Sequence, residues 1–543
     1  MKNLLSASTL LGLALLLPAS LPAGPRAVVS LRLQDGAGKK TPPQRPGPGM
    51  ISLKDGRFIL EKPIRKVKGG LEVLYRNGKV LVPDSMILDY YSPDTTLQYT
   101  PKNEIERKRL AKGLVPIGRR WVRKSLAERE MRKLTEKRKK EIEEQKAHRL
   151  WRNRYIVETK DFIFEHNLPL PLFKELRELF EVYLKTFLKK WRKKPHLPRK
   201  PRINLYADHG DYSQISGAKG GIVGWYHPMT QELHLYWDRR DPKFTINVLF
   251  HETNHLLSDM INGDFRYPDW IEEPMAEYYG ASKWNPRAKD KTKRMTMGHV
   301  QASRLAVVKT QIKEGEKLKL KDMLRIPDFG AVHYAWGWTF IHFLMNSKKY
   351  AKRWEKYYLD LAHKKTIRRK PLYGKVKTVT PETAEKLLLK YLRVKSLDAL
   401  EKEWYAYIDS LEIEDVDGYA AAGRHFRMLG EWKEAKKYLK KAVDLGVKNP
   451  YAYMAYADLL GTSGKDRKEA IRLLDKAISL DPLEAEFRYR KGRLLLTFHD
   501  DKRKQEGLRL VRLAAEMNPE DWTYIHAVAD IEEEMKREDR KNG

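Results

Sequence analysis

The spacing of apolar positions divides the chain into regions of different predicted structure. Residues 58–60, 71–75 and 80–82 form short apolar runs, and an Asn-Gly turn signal at 77–78 separates the last two. This pattern predicts a small β meander within residues 50–91. Because so short a module buries little core by itself, we expect it to be an accessory module.

A longer region, residues 155–411, mixes strand-like runs with helical periodicity. The strand-like runs include 203–206 and 232–237, and apolar positions three and four residues apart predict an amphipathic helix over 172–191. An Asp-Pro pair at 241–242, which is typical of a helix N-terminus, follows the second of these strands. We therefore expect an α+β domain here.

The C-terminal residues 412–537 repeat a helical pattern with a period of about 35 residues. Ala442 recurs as Ala477 and Ala514, and an Asn-Pro or Asp-Pro pair follows each of them. This spacing resembles tetratricopeptide repeats (TPR), in which small residues allow close helix packing. The resemblance implies roughly three stacked repeats that bind a peptide or a partner protein. A helical support for the preceding domain is the alternative.

Composition limits the chemistry that the chain can carry out. Its 543 residues include 107 Lys and Arg against 72 Asp and Glu, a formal net charge of +35, and 41% of them are hydrophobic. These values exclude a mostly membrane-embedded protein and a wholly disordered one. The absence of cysteine excludes disulfides, Cys-ligated zinc and thiol nucleophiles. Any metal ion must therefore be bound by His, Asp or Glu.

The N-terminus has the three-part pattern of a secretory signal peptide. Lys2 precedes the apolar residues 4–17, and Pro18 with several small residues follows them. We therefore predict a signal peptide over 1–23 and an exported protein of the periplasm, cell envelope or extracellular medium, with no transmembrane helix in the mature chain. An uncleaved signal anchor is the alternative. Residues 24–49, rich in proline and glycine, predict a flexible linker.

Residues 92–154 form a strongly basic helical segment. Twenty Lys and Arg but only eight Glu lie between Lys102 and Arg154. A solvated, charged helix that binds nothing is one interpretation, and contact with an anionic envelope polymer or a membrane surface is the other. No nucleic-acid-binding motif accompanies the charge, so we predict no specific nucleic acid partner.

The sequence His-Glu-Thr-Asn-His at 251–255 lies within the helix predicted after the Asp-Pro pair. His251 and His255 are four residues apart, which places them one turn apart on one helix face, where both can bind one Zn²⁺. Glu252 lies beside them and can take a proton from a water that the metal activates. Five residues alone are also compatible with two surface histidines on a helix.

Four later residues match, in order, the W-x-x-E-G-x-A-x-Y segment of the gluzincin metallopeptidases: Trp270, Glu273, Ala276 and Tyr278. The chain thus resembles that family, which implies a zincin-like α+β fold and hydrolysis of peptide bonds. The resemblance also implies a zinc site in which Glu273 is the third ligand, beside His251 and His255. Pro274 stands where the family usually has glycine, so a helix that begins at this proline and Glu272 as the ligand are alternatives.

Further residues would complete such a site. Asp259 and Glu277 each lie one helical turn after an expected ligand, where a carboxylate can accept the second N–H of a metal-bound imidazole. The position of Glu277 is similar to that of an Asp in thermolysin-like enzymes, which implies this role for it. Many gluzincins place a Tyr or His on a later helix to stabilise the oxyanion. By resemblance, Tyr334 is the candidate here and His333 the second one. The alternatives are ordinary surface acids and core aromatic residues.

Together these patterns predict a multidomain, mainly α-helical chain. It would contain a small β module, a zincin-like α+β metallopeptidase domain at 155–411 and a C-terminal TPR-like solenoid at 412–537. The predicted function is that of an exported zinc metallopeptidase with Glu252 and Tyr334 as catalytic residues and a peptide or protein as substrate. A repeat scaffold of the cell envelope with a structural or vestigial metal site is the alternative. The intact Glu252 favours the enzyme, because a structural site has no use for a base.

Overall fold

The computed structural model describes residues 48–91, 101, 103–117, 120–195, 199–218, 222–290, 293–326, 329–461 and 466–542. These residues belong to two compact units. The central unit is His148–Lys448, and the composite unit combines the described parts of Pro18–Ala147 and Asn449–Gly543. The predicted signal peptide at 1–23 and nearly all of the predicted linker at 24–49 lie outside the described residues.

The composite unit begins with an antiparallel sheet. Its strands are β1 (Pro48–Leu53), β2 (Phe58–Val67), β3 (Gly70–Tyr75), β4 (Gly78–Pro83) and β5 (Ile87–Tyr91). Their order is β4-β3-β2-β1-β5, so β1 and β5 enlarge the predicted meander. Ile51, Val73 and Val82 belong to its core cluster, against which Leu483 from a turn of the C-terminal region also packs. This contact adds apolar surface that so small a sheet lacks by itself.

The basic segment folds as a short helix, a hairpin and a long helix. Its elements are α1 (Glu104–Ala111), β6 (Leu114–Ile117), β7 (Arg120–Arg123) and α2 (Lys124–Arg149). Ala127 and Ile142 of α2 are buried, whereas most of its described charged residues are exposed. The charge run predicts the long helix but not the hairpin, whose few apolar residues form no periodic pattern.

The central unit contains a mixed sheet. Its strands are β8 (Tyr155–Glu158), β9 (Ile163–His166), β10 (Arg202–Tyr206), β11 (Gly224–His227) and β12 (Glu232–Tyr236). Their order is β11-β12-β10-β9-β8, in which β9, β10 and β12 are parallel and the two outer strands run antiparallel to their neighbours. Helix α3 (Leu170–Trp191) connects β9 to β10 and buries an apolar stripe that includes Phe180 and Tyr183.

Eleven further helices of the central unit lie in its described residues. They are α4 (His209–Ser216), α5 (Pro242–Asn262), α6 (Asp269–Gly280), α7 (Ala302–Glu314), α8 (Leu320–Met323), α9 (Ala331–Asn346), α10 (Ala351–His363), α11 (Pro381–Leu392), α12 (Leu397–Ser410), α13 (Val416–Met428) and α14 (Trp432–Asp444). Two short ribbons pair β13 (Lys283–Trp284) with β14 (Met295–Thr296), and β15 (Lys370–Tyr373) with β16 (Val376–Thr378). Helix α5 packs against β11, β12 and α6, and α6 packs against α9.

The composite unit ends in helices. They are α15 (Pro450–Gly461), α16 (Arg467–Leu480), α17 (Ala485–Leu496), α18 (Asp501–Met517) and α19 (Trp522–Asn542). Helix α15 pairs with α16 and α17 with α18, as α13 pairs with α14 in the central unit. A Cβ at Gly492 would lie 2.7 Å from the carbonyl oxygen of Gly507, so glycine is needed for this close approach. The helix pairs are consistent with TPR-like repeats. In the part of the chain that the structure describes, no helix is both long and apolar enough to cross a membrane.

Candidate metal centre

Helix α5 brings both histidines of the His-Glu-x-x-His motif to one side. Asp241 defines its start, because Oδ1 accepts a hydrogen bond from the Phe244 N–H (3.1 Å), and Pro242 occupies the first turn. In the largely buried stretch that follows, His251 and His255 lie one turn apart. Their ring centroids are 5.1 Å apart, so the two imidazoles face the same space.

Glu273 of α6 completes a cluster of three potential ligands. The Nε2 atoms of His251 and His255 are 3.3 Å apart, and Oε2 of Glu273 lies 3.4 Å and 3.6 Å from them. A tetrahedral Zn²⁺ with bonds of about 2.0–2.2 Å separates its ligand atoms by about 3.3–3.5 Å. Among the described residues, this is the group of His, Asp and Glu side chains whose ligand atoms converge in this way. Their spacing matches three corners of a zinc site.

The charges of the cluster also suit a cation. Oε2 of Glu273 is buried and has no hydrogen-bond partner among the described residues. Burial raises the pKa of Glu273, but the charge of His255 outweighs this effect and holds that pKa well below its usual range. Burial lowers the pKa of His255, but Glu273 raises it well above its usual value, so this imidazole must release its proton when it binds a metal ion. Two imidazoles and a carboxylate are a donor set of catalytic zinc sites, so the residues present fit this ion.

Pro274 lies inside α6 rather than at its start. The helix begins at Asp269, so the alternative of a helix that begins at the proline is not observed. Within a helix, proline cannot donate to the carbonyl four residues earlier, here that of Trp270. Its ring packs against Gly337 of α9, where an added Cβ would lie 2.4 Å from Cγ of Pro274. Glycine at 337 therefore lets α9 approach the helix that carries Glu273.

A carboxylate lies close to Nδ1 of each imidazole. Oε1 of Glu277 lies 3.5 Å from Nδ1 of His251, and Oε1 of Glu272 lies 3.5 Å from Nδ1 of His255. Carboxylates in these positions orient the rings and leave Nε2 as the nitrogen that faces the cluster. Glu273 thus lies at Nε2 of His255, whereas Glu272, the alternative ligand, lies at Nδ1 of the same ring.

Two arginines contact the carboxylates of Glu277 and Glu272. Arg304 of α7 donates two hydrogen bonds to Glu277, at 3.0 and 2.7 Å, and both side chains are buried. Nη1 of Arg266, in the loop after α5, lies 3.7 Å from Oε1 of Glu272. The sequence gives no signal for either arginine, because a single Arg far from the motif belongs to no pattern. Only the fold brings them to the histidines.

Strand β11 contacts two carboxylates of α5 through Tyr226. Its N–H donates to Oε2 of Glu252 at 3.1 Å, and its hydroxyl donates to Oδ2 of Asp259 at 2.9 Å. Asp259 also forms an ion pair with Arg266. The expected contact of Asp259 with an imidazole is therefore not observed, because Arg266 and Tyr226 bind its carboxylate instead.

The second oxygen of Glu252 has no such partner. Oε1 is buried, makes no hydrogen bond to any described residue, and lies 4.0 Å from Nε2 of His251. Burial raises the pKa of Glu252 above its ordinary value. A carboxylate held by one oxygen thus keeps its other oxygen available beside the three potential ligands.

Tyr334 of α9 also lies beside the cluster. Its side chain is buried, and its ring centroid is 6.4 Å from that of His251. Burial and the charge of Glu273 raise the pKa of the Tyr334 hydroxyl well above its usual value. The hydroxyl therefore stays protonated and can donate a hydrogen bond. His333 instead caps the start of α9, where Nδ1 accepts a hydrogen bond from the Gly330 N–H (3.0 Å).

Comparisons with known proteins assign no family to the chain. No model of a protein family matches the chain, and no curated protein matches it. One matching solved structure is described as the crystal structure of YrrB, a TPR protein with an unusual peptide-binding site. The match covers 27% of this chain and 73% of that chain, with 21% sequence identity and a TM-score of 0.20. So low a TM-score carries no argument, and the TPR-like description rests on the helix pairs themselves.

Proposed function

We propose that the central unit is a zinc-dependent metallopeptidase. Three ligand atoms, 3.3–3.6 Å apart, meet beside a buried carboxylate oxygen with no partner among the described residues, and this observation carries the proposal. Zinc held by His251, His255 and Glu273 would supply a Lewis acid that makes water a nucleophile near neutral pH. The gluzincin-like segment at residues 270–278 supports the same reaction.

Glu252 is the residue that moves the proton. Its Oε1 takes a proton from the attacking water and passes it to the amine that leaves. The Tyr226 N–H holds Oε2 and so orients the carboxylate. A pKa raised by burial suits a group that must accept and then release this proton. The Tyr334 hydroxyl donates a hydrogen bond to the substrate's carbonyl oxygen as negative charge develops there.

The helical repeats support a second function, the binding of a protein or peptide. Trp432 of α14 and Trp522 of α19 are 60% and 69% exposed. Tryptophan is enriched among the residues that dominate binding interfaces, so these two exposed side chains favour a bound partner. Binding by the repeats could serve the peptidase, or it could be the whole function if the metal site is structural.

The test compares wild type with Glu252→Gln, which removes the base and keeps all three ligands. Each full-length protein is given zinc and a mixed peptide library, and cleavage is read by mass spectrometry with a chelator control. We expect Glu252→Gln to bind zinc like wild type and to lose at least about 10²-fold in cleavage rate. Glu314→Gln makes the same chemical change at an exposed position of α7 and should keep full activity.

Two results would favour the scaffold function over the peptidase function. One is equal cleavage by wild type and Glu252→Gln, which would attribute the activity to a contaminating protease. The other is the absence of cleavage by either protein while both hold zinc.

A further inference from the structure

Main-chain hydrogen bonds connect the β15–β16 ribbon to the loop between α5 and α6. Lys377 of β16 donates its N–H to the carbonyl oxygen of Asp264 and accepts a hydrogen bond from the Arg266 N–H, both at 2.9 Å. Among the described residues β15 has no strand partner besides β16, and all four of its residues are exposed. Strand β15 is thus an exposed but short sheet edge. Pro371 has no N–H, so only its neighbours can donate main-chain hydrogen bonds to an extended peptide.

A short series of contacts connects this ribbon to the metal cluster. Nε of Arg266 donates a hydrogen bond to the Tyr373 hydroxyl at the end of β15 (3.3 Å). Nη1 of Arg266 lies 3.7 Å from Oε1 of Glu272, and that oxygen lies 3.5 Å from Nδ1 of His255. The whole path measures at most roughly 15 Å, which an extended peptide covers in about five residues. A chain bound along β15 is therefore within reach of the metal ligands.

The ribbon and the turn before it carry an excess of positive charge. Residues 364–381 contain seven Lys and Arg and no Asp or Glu. Six of these residues are exposed and have no carboxylate within ion-pair distance in the described part of the chain: Lys364, Lys365, Arg368, Lys370, Lys375 and Lys377. By contrast, Lys349 and Lys356 of the same unit are paired with acids. Hydrogen bonds lower the pKa of the nearby Glu382, and the charge of Lys370 contributes to this shift. Like charges on an ordered ribbon repel one another, and they attract an anionic ligand.

Apolar groups accompany these charges. Leu372 is 49% exposed and Tyr373 is 36% exposed, both on β15. Exposed aliphatic and aromatic side chains beside these cations can contact an apolar residue of a bound peptide. An anionic polymer or a membrane would use the charge but not the open strand edge, so these features together favour a peptide.

We propose that the β15–β16 ribbon recognises acidic side chains of an extended peptide substrate. This inference rests on the proposed peptidase function and adds the class of substrate to it. The main chain of the peptide pairs with β15, and its Asp or Glu side chains pair with Lys370, Lys375 and Lys377. Leu372 and Tyr373 contact an apolar residue between the acids. The scissile bond lies about five residues from the acidic stretch, at the metal ligands.

The first experiment measures binding without cleavage. Full-length Glu252→Gln is titrated into two fluorescein-labelled peptides, one rich in Asp and Glu and one with Asn and Gln in their place, and anisotropy is recorded. We expect preferential binding of the acidic peptide, which the added changes Lys370→Glu, Lys375→Glu and Lys377→Glu weaken at least about tenfold.

A matched control changes the same net charge elsewhere on the central unit. Lys313→Glu, Lys319→Glu and Lys321→Glu alter three exposed lysines and should leave the affinity within about twofold of the parent. An equal loss in both triple variants, or equal binding of the two peptides, would overturn the inference. If charge reversal disturbs folding, the same three ribbon lysines changed to Gln should still weaken binding of the acidic peptide.

Cleavage then separates this inference from the proposed function. If wild type and the ribbon variant cleave the peptide library with the same pattern and no preference for acidic flanks, the ribbon inference fails and the peptidase function stands. If acidic peptides bind through the ribbon but wild type cleaves none of them, the peptidase function fails and the binding site stands. Ribbon-dependent binding of anionic vesicles or dextran sulfate, without a peptide preference, would also overturn the inference.

Discussion

Gly337 and Pro274 should be energetically coupled, because they touch where α9 packs against α6. An added Cβ at position 337 would lie 2.4 Å from Cγ of Pro274, whereas non-bonded carbon atoms approach to about 3.5–4.0 Å. The proline ring is rigid, so Gly337→Ala must push the two helices apart by about 1 Å. The substitution therefore strains the contact that lies next to Glu273.

Two opposing effects determine the magnitude. Overpacking a dense core costs about 1–3 kcal/mol, and replacing glycine by alanine in a helix interior returns about 0.5–1 kcal/mol. Gly337→Ala should therefore lower the free energy of unfolding by about 1–2 kcal/mol. In a Pro274→Ala background Cγ is absent, but Cζ of Phe329 and Cβ of residue 274 still lie 3.0 and 3.2 Å from the added Cβ. Gly337→Ala should therefore cost less there, about 0–1 kcal/mol.

The assay is a double-mutant cycle on the full chain. Thermal unfolding is followed for wild type, both single variants and the double variant, and hydrogen exchange in α6 and α9 assigns the transition. We expect a coupling energy of about 1 kcal/mol, with Tm changing by about 2–4 °C per kcal/mol. Gly263→Ala is the control, because its Cβ would have an ordinary contact at 3.5 Å. Equal destabilisation by Gly337→Ala in both backgrounds would refute the reasoning.

Three further changes test other parts of the central unit. Glu273→Gln should lower zinc affinity in calorimetry far more than Glu272→Gln, because only Glu273 offers an oxygen to the ligand cluster; the reverse order would contradict the ligand assignment. Arg304→Met should lower zinc affinity by about 10–100-fold, because Glu277 loses two hydrogen bonds. Arg304→Lys should lower zinc affinity less. Unchanged affinity in both variants would show that Glu277 needs no such support. Burial raises the pKa of Asp417 to about 6. As the pH rises through that value, the buried carboxyl group becomes charged and the free energy of unfolding falls. Asp417→Asn should therefore raise Tm more at about pH 7.5 than at about pH 4.5, and equal shifts at the two pH values would exclude this cause.

The helix of the metal centre is predictable because its signals are local. Asp241 and Pro242 define the start of α5, and the helical period then brings His251 and His255 together. The helix pairs of the C-terminal region are predictable for a related reason, since recurring small residues and prolines mark each pair. In both cases the sequence within one or two elements contains the whole signal.

The surroundings of the site depend on contacts that are distant in sequence. Asp259 lies on the face of α5 that carries the histidines, yet Arg266 and Tyr226 bind its carboxylate and Glu272 reaches the imidazole instead. Helical periodicity states which face a side chain occupies, but not which of several charged neighbours will reach it. Arg304 illustrates the same limit, because it comes from a different helix.

The sequence also left the course of α6 undecided. A proline at 274 is compatible with a helix start, and only the packing shows that the helix runs through it. Gly337 of α9 provides the space for the proline ring, and no pattern links these two positions along the chain. The small β module is a similar case, since Leu483 packs against its core from far along the chain.

The zinc content of the purified full-length protein tests the central claim most directly. Mass spectrometry of the metal should give about one zinc per chain in wild type, and His251→Ala or His255→Ala should lose it, because each removes one of three protein ligands. His526→Ala, which changes an exposed histidine of the composite unit, should keep the metal. Zinc in wild type at the level of the buffer, after incubation with the ion, would contradict the proposed metallopeptidase.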